Sequence, residues 1–225
     1  MQLVKRVLDL SQPVYPNNPA NPLLPPVEIT VTANHATDGY QMERLVTYTH
    51  DGTHVDATWH MWEEGRPLHE LPIEGFVGPA AVFDLRHKQA REAITAEDLA
   101  AAEVEVIEGS IALLATGWAR KVGYTKEWVF QSPWLRQDGA RWLIQRGIVG
   151  VGIDHLSISG MAEEEDYATH QALAQAGNWV LEGLVFPEAI FEPGPWLVVA
   201  LPLALRDTAG APARVVALEL GRTRP

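Results

Sequence analysis

The sequence predicts an α/β or α+β domain built on a mixed β-sheet flanked by helices. Two patterns point there. Nine short segments rich in Val, Ile and Leu are bounded by Gly, Pro, Asn or Asp, as strands are. Three further segments carry helix start and stop residues. A third observation sets the scale: 225 residues, 47% of them hydrophobic, suit one domain spanning residues 1–225.

Taken in order, the strand candidates are Val4–Leu10, Val27–Thr32, Met42–Thr49, Ala80–Leu85, Ile111–Thr116, Val149–Ile153, Trp179–Val185, Trp196–Leu203 and Arg214–Leu220. The first helix starts at Thr95-Ala-Glu-Asp98, a capping box with Asp in place of Glu or Gln, and runs to about Glu103. The second starts at Ser132-Pro133, with Pro at the first helical position, runs to about Arg146 and is closed by Gly147. The third runs from Asp166 to Ala176 and is closed by Gly177. The segment Pro13–Pro26 holds six prolines, which fix φ and lack an N–H, so it is neither helix nor central strand. It reads as an extended surface arm or as a rigid loop bordering a pocket.

Composition excludes several functions. With no Cys there is no disulfide framework, thiolate metal site or cysteine nucleophile. A net charge of −12 argues against a nucleic-acid-binding surface. The longest apolar stretch, Pro195–Leu205, is well short of the ~20 residues that cross a bilayer. The alternating N-terminus lacks the apolar stretch and cleavage site of a secretory signal, so a cytoplasmic protein is expected.

The chemistry concentrates in His50-Asp-Gly-Thr-His54-Val-Asp56-Ala-Thr-Trp-His60, which holds three of the eight His. Asp51-Gly52 is a turn signal, which sets these side chains on a tight loop after the strand Met42–Thr49. Neutral imidazole and carboxylate bind Zn²⁺ or Mn²⁺ at about 2.0–2.2 Å. His50, His54 and Asp56 supply three ligands; His60 is a fourth ligand or a proton shuttle. Asp51 reads as a turn former and Thr53 as a structural group. His35, His69 and His87 read as solvent-facing, and His155 as a pocket residue or a strand-end cap.

The motif resembles the H-x-G-T-H-x-D-x-P-x-H signature of the cyclase-family metal-dependent hydrolases, which include bacterial kynurenine formamidase (arylformamidase) and isatin hydrolase. His170 and Glu182 resemble the second ligand pair of that family. Val149-Gly-Val-Gly-Ile-Asp154 with Ser157, Leu113–Trp118, Val199–Leu203 with the Arg214 region, and Asp9–Pro16 resemble further family segments. The sequence departs from the family at Thr58, where the motif has Pro, at Met61, at Ala115 (Arg in the family), and at His155 and Ser159.

The resemblance implies a swivelling β/β/α fold. It implies a first metal on His50, His54 and Asp56, and a second on Asp56, His170 and Glu182. His60 would be the general acid/base. Tyr15 stands where the formamidases carry a substrate-contacting Trp and is an expected substrate contact; Trp59 and Trp62 flank His60 and read either as further substrate contacts or as residues that pack the loop against the core. The expected reaction is hydrolysis of an amide, formamide or lactam C–N bond in a small aromatic or cyclic substrate by a metal-activated water. One or two ions are expected, Zn²⁺ first and Mn²⁺ second. Alternatives are a lactone hydrolase, cyclase or dehydratase on the same scaffold, and a non-catalytic metal- or ligand-binding protein. A homodimer or homotetramer is the expected assembly.

Overall fold

A computed structural model describes residues 3–161, 167–192 and 194–221. Along the chain come β1 (Val4–Asp9), β2 (Glu28–Ala33), α1 (His35–Asp38), β3 (Met42–Val46), β4 (His54–Asp56) and β5 (Val77–Asp84). Then follow β6 (Ala93–Ile94), α2 (Ala96–Ala101), β7 (Ile111–Ala115), α3 (Lys126–Phe130), β8 (Trp134–Leu135), α4 (Gln137–Ile144) and β9 (Gly150–Ile153). The chain continues through α5 (Ala168–Gln175), β10 (Trp179–Glu182), β11 (Trp196–Val199), β12 (Gly210–Pro212) and β13 (Val216–Leu220).

Nine strands form one mixed sheet in the order β1-β13-β11-β5-β7-β9-β10-β4-β12. The centre, β5-β7-β9-β10, is parallel, and both flanks are antiparallel. A parallel centre needs cover on both faces, and β7 shows it. Ile111 and Leu113 join one core cluster, while Ala112 and Leu114 join the other. The second cluster takes Leu99 from α2, Ala140 and Leu143 from α4 and Leu173 from α5, so the helices lie on that face. The first is closed by Phe76, Trp179, Ile190 and Leu68. This is the α/β mixed sheet that the sequence predicts.

All nine strand candidates contain a strand, and several end earlier than the apolar pattern. The segment at Trp179–Val185 stops at Glu182, because Gly183 turns to φ 67°. The Thr95 capping box is formed, with Thr95 and Asp98 bonding each other's backbone N–H groups. The helix expected from Ser132–Pro133 begins at Gln137 instead. Trp134 and Leu135 are held as a short strand against Ala93 and Ile94, and that pairing delays the helix. The expected start of the third helix at Asp166 lies outside the described residues; its described part is Ala168–Gln175. Sequence patterns also missed α1, α3 and β12.

The main correction concerns the motif. Its centre, His54–Asp56, is a buried strand and not loop, because β10 pairs with it on one side and β12 on the other. Strands alternate their faces, so His54 and Asp56 point one way while Val55 enters the first core cluster. On β10, Glu182 stands opposite His54 and Val180 opposite Asp56. Val180 belongs to the cluster under the helices, and Glu182, two residues on, shares its face. The three ligand candidates on β4 and β10 therefore face α5.

Candidate metal centre

The site is assembled at the carboxyl end of β10, in the region where open α/β sheets place their ligands. The turn before β4 is fixed first. Asp51 accepts hydrogen bonds from Thr47 Oγ1 and Tyr48 N, each at 3.1 Å, which is the turn-forming role. Thr53 Oγ1 donates to the Gly183 carbonyl at 2.6 Å and accepts from Gln12 N at 2.8 Å, so its role is structural too. A Cβ at Gly183 would collide with the carbonyl of Gly52, so this close approach requires glycine. The departure at Thr58 is compensated locally: its hydroxyl accepts from Arg66 N at 2.8 Å and holds the loop a proline would stiffen.

Asp56 is the hub. Its Oδ1 lies 2.7 Å from His50 Nδ1 and 3.2 Å from His54 Nε2, and its Oδ2 lies 3.8 Å from His170 Nε2. Glu182 Oε2 is 3.5 Å from His54 Nε2, and its Oε1 is 3.1 Å from His170 Nε2 while accepting Ile158 N at 2.8 Å. His170 projects from α5, with Nδ1 2.8 Å from Ser159 Oγ. His54 Nδ1 lies 3.0 Å from the Gly52 carbonyl, a geometry in which that nitrogen carries the proton and Nε2 faces the carboxylates. His60, on the turn after β4, stacks on His50 with ring centres 4.0 Å apart.

The electrostatics follow from burial and packing. Asp56 and Glu182 are 3% and 5% exposed. Burial opposes charge on Asp56, yet His54 and His50 hold its pKa well below the usual carboxylate range. Burial and the Asp56 charge oppose ionisation of Glu182, and His170 and His54 outweigh them, so its pKa is lowered. Burial disfavours charge on His54 and His170 as well. The facing carboxylates prevail and raise both pKa values, His54's strongly. His60 differs: burial dominates and lowers its pKa, which favours neutral imidazole.

The donor set fits a divalent cation. His54 Nε2 and Asp56 Oδ2 are buried side-chain atoms without a hydrogen-bond partner, a costly state unless something is bound there. Two triads converge closely enough for an ion, His50–Asp56–His60 and His54–Asp56–Glu182, and Asp56 belongs to both. All six residues expected at the metal and proton-transfer positions are thus together. The grouping differs from expectation in one respect: His54 converges with Glu182 across the β4–β10 pair. His60 lies close enough to join His50 as a ligand, one of its two expected roles.

Sequence similarity agrees with the geometry. The profile of the family described as "Putative cyclase" matches residues 8–159. The chain belongs to the cyclase family. This cyclase-family chain is 30% identical to the kynurenine formamidase of Bacillus cereus over 93% of its own length and 95% of that protein's. It is similar in structure to a potential metal-dependent hydrolase with cyclase activity, at TM-score 0.78 and 31% identity, covering 98% of this chain and 99% of the other. It is also similar to isatin hydrolase A from Ralstonia solanacearum, at TM-score 0.83 and 26% identity, covering 95% and 92%.

A cavity of about 410 Å³ opens onto the cluster, with His50, His60, His170 and Glu182 on its floor. Asn21, Leu23 and Leu24 of the proline-rich segment line one wall, so that segment borders a pocket. Met61, Leu156, Ser157, Met161, Tyr167 and Gln171 complete the described lining. The expected substrate contacts Tyr15, Trp59 and Trp62 are not in that lining, and Tyr15 and Trp59 are 47% and 42% exposed. A larger groove of about 610 Å³, between Val104 and Trp196, lies against none of these ligand candidates.

His155 is absent from the lining of the cavity over the cluster, and its ring is held against α3. It is buried, with Nε2 2.8 Å from the Trp128 carbonyl, and burial lowers its pKa to about 4. His35, His69 and His87 are exposed. Ser159 is a residue whose role sequence reasoning missed. Its contact with His170 spans eleven positions and carries no spacing signal.

Proposed function

We propose that this protein is a metal-dependent hydrolase that cleaves the amide, formamide or lactam C–N bond of a small aromatic or cyclic substrate. One observation carries this reading: Asp56 is shared by two convergent triads, His50–Asp56–His60 and His54–Asp56–Glu182, at a cavity whose floor is His50, His60, His170 and Glu182. The names of the similar proteins, kynurenine formamidase and isatin hydrolase, support a C–N bond as the target.

Asp56 would be shared between two ions, with His50, His54, His170 and Glu182 completing the donor set. Zinc is the first candidate and manganese the second, since the donors are nitrogen and oxygen without sulfur. A divalent cation held there supplies activation of a water near neutral pH and stabilisation of negative charge on the substrate oxygen. Everything else falls to the chain. The Ser159 hydroxyl fixes the His170 ring, and the Gly52 carbonyl fixes that of His54. A ring nitrogen of His60, neutral because burial lowers its pKa, takes the proton from the attacking water and returns it to the leaving nitrogen.

The test is His60→Ala in metal-loaded protein, assayed on a panel of formanilides, lactams and aryl lactones. Turnover should fall by about 10²–10⁴-fold with metal content retained. Full activity in that variant removes His60 from the mechanism; no hydrolysis of any panel member by the unaltered protein removes the hydrolase reading.

For assembly we favour a homodimer or homotetramer. Among the described residues the β2–β3 hairpin pairs only with itself, and it exposes Val31, Met42, Leu45 and Val46. A lone two-stranded ribbon is marginal in water, and apolar surface of that kind suits a second copy. Light scattering that gives a monomer mass at micromolar concentration rejects the oligomer.

A further inference from the structure

The cavity floor is crowded with carboxylates and imidazoles, while among the described residues its walls hold no carboxylate, imidazole, ammonium or guanidinium group. Leu23, Leu24, Leu156, Met61, Met161 and Tyr167 supply apolar surface. Asn21, Ser157 and Gln171 supply neutral donors and acceptors. No Lys or Arg lines the cavity among the described residues. The charges acting most strongly on His54, His60, His170 and Glu182 are also carboxylates and imidazoles of the cluster itself.

These observations bear on which substrates fit. A scissile amide directed to the floor leaves the rest of the substrate against the walls. A carboxylate seated against the half-buried Leu24, Leu156 and Met161 would lose part of its water and meet no guanidinium or ammonium among the described lining residues, a cost that disfavours it. Sites discriminate most strongly when the wrong ligand leaves a buried polar group or charge unpaired. An apolar ring or chain gains instead from Leu24, Leu156 and Met161, and Gln171 or Asn21 can bond a neutral polar substituent. A volume of about 410 Å³ holds a body of one or two rings.

We infer that the substrate is uncharged away from its scissile C–N bond, with an apolar body seated on the Leu23–Leu24 and Leu156–Met161 walls. Amides and formamides of amino acids, which carry a carboxylate remote from that bond, are disfavoured. This inference rests on the hydrolase reading for the position of the scissile bond, and the walls make their own prediction about ligand charge.

The experiment separates the two. Metal-loaded protein is assayed on formanilide, 4-carboxyformanilide and 4-(aminomethyl)formanilide, and titrated calorimetrically with benzohydroxamic acid and its 4-carboxy derivative. The neutral member of each set should be favoured by at least about 10-fold in kcat/KM and in affinity. Equal or better use or binding of a carboxylate compound overturns the inference, as does a preference for the ammonium compound. If no formanilide is cleaved, the formamide part of the hydrolase reading fails, and the hydroxamate pair still decides the charge preference. Gln171→Arg, and independently Leu23→Arg in the proline-rich segment, should narrow the neutral-to-carboxylate ratio by about 10-fold. A ratio unmoved in both variants, with their folding shown by circular dichroism, places the discriminating surface elsewhere and overturns the inference.

Discussion

The floor and the walls of the cavity are built by opposite rules. The floor comes from regular elements: β4, β10, α5 and the turn after β4 each deliver a ligand candidate along a direction set by ladder pairing and helix packing. Its side chains are mostly buried and bonded to one another. The walls come largely from irregular chain, and Leu23 is 84% exposed while Tyr167 is 65% exposed. The difference assigns reaction class to the sheet and substrate choice to the loops, the usual division between a rigid scaffold and adaptable connections. It also states where substitutions should act: floor variants on metal content, wall variants on substrate preference.

The largest effect should come from Asp56→Ala. Losing the shared ligand should weaken metal retention by more than about 100-fold, beyond what loss of a supporting contact does. Measured by elemental analysis after dialysis, near-stoichiometric metal in this variant would show that the floor is not a metal site. Next is the pH response of the scaffold under the site. His155 holds a pKa of about 4 in the fold, below its unfolded value near 6.5, because it is buried. Between those values the unfolded chain binds more protons, so stability rises with pH there and is lost as pH falls through the window. The loss is about 3 kcal/mol. Denaturant titrations at pH 7 and pH 4 should differ by that much less in His155→Gln than in the unaltered protein; identical pH responses would refute a buried neutral His155.

Ser159→Ala sharpens the comparison at its edge. It leaves every ligand in place and frees the His170 ring, so metal affinity should fall about 10–100-fold in competition with a chelator. An unchanged affinity would mean that α5 packing alone orients His170. The smallest effect is expected at Leu23→Ser, at the outer rim. KM for an apolar substrate should rise about 2- to 5-fold, with kcat and metal content unaltered, since about 1 kcal/mol or less of contact is lost from so exposed a side chain. A fall in metal content there would break the separation of floor from walls.

Much of this was legible in the linear chain, and the reason differs by residue. His50, His54, Asp56 and His60 lie within eleven positions, so composition marks the site. His170 and Glu182 are remote from that segment and were found through family resemblance; Glu182 in isolation reads as a solvent-facing strand residue, and it is 5% exposed. The strands with an unbroken apolar run, such as Ile111–Ala115, announced themselves because both their faces are covered. Strand β4 did not, since three residues rich in polar groups become a strand only when β10 and β12 flank them. The same holds for Trp134–Leu135, which local helix signals claimed and a distant partner strand took.

By itself the sequence determined the ligand chemistry. With no Cys and a cluster of imidazoles and carboxylates, any metal must be held by nitrogen and oxygen. The tertiary structure decided what no spacing encodes. It set Glu182 opposite His54, and it made Asp56 common to both triads. It also lined the walls with Leu23, Leu24, Leu156 and Met161 in place of the aromatics adjacent to the motif. The physical reason is that register and burial are non-local. They depend on which remote segments exclude water from a side chain, and that is settled only when the sheet closes around it.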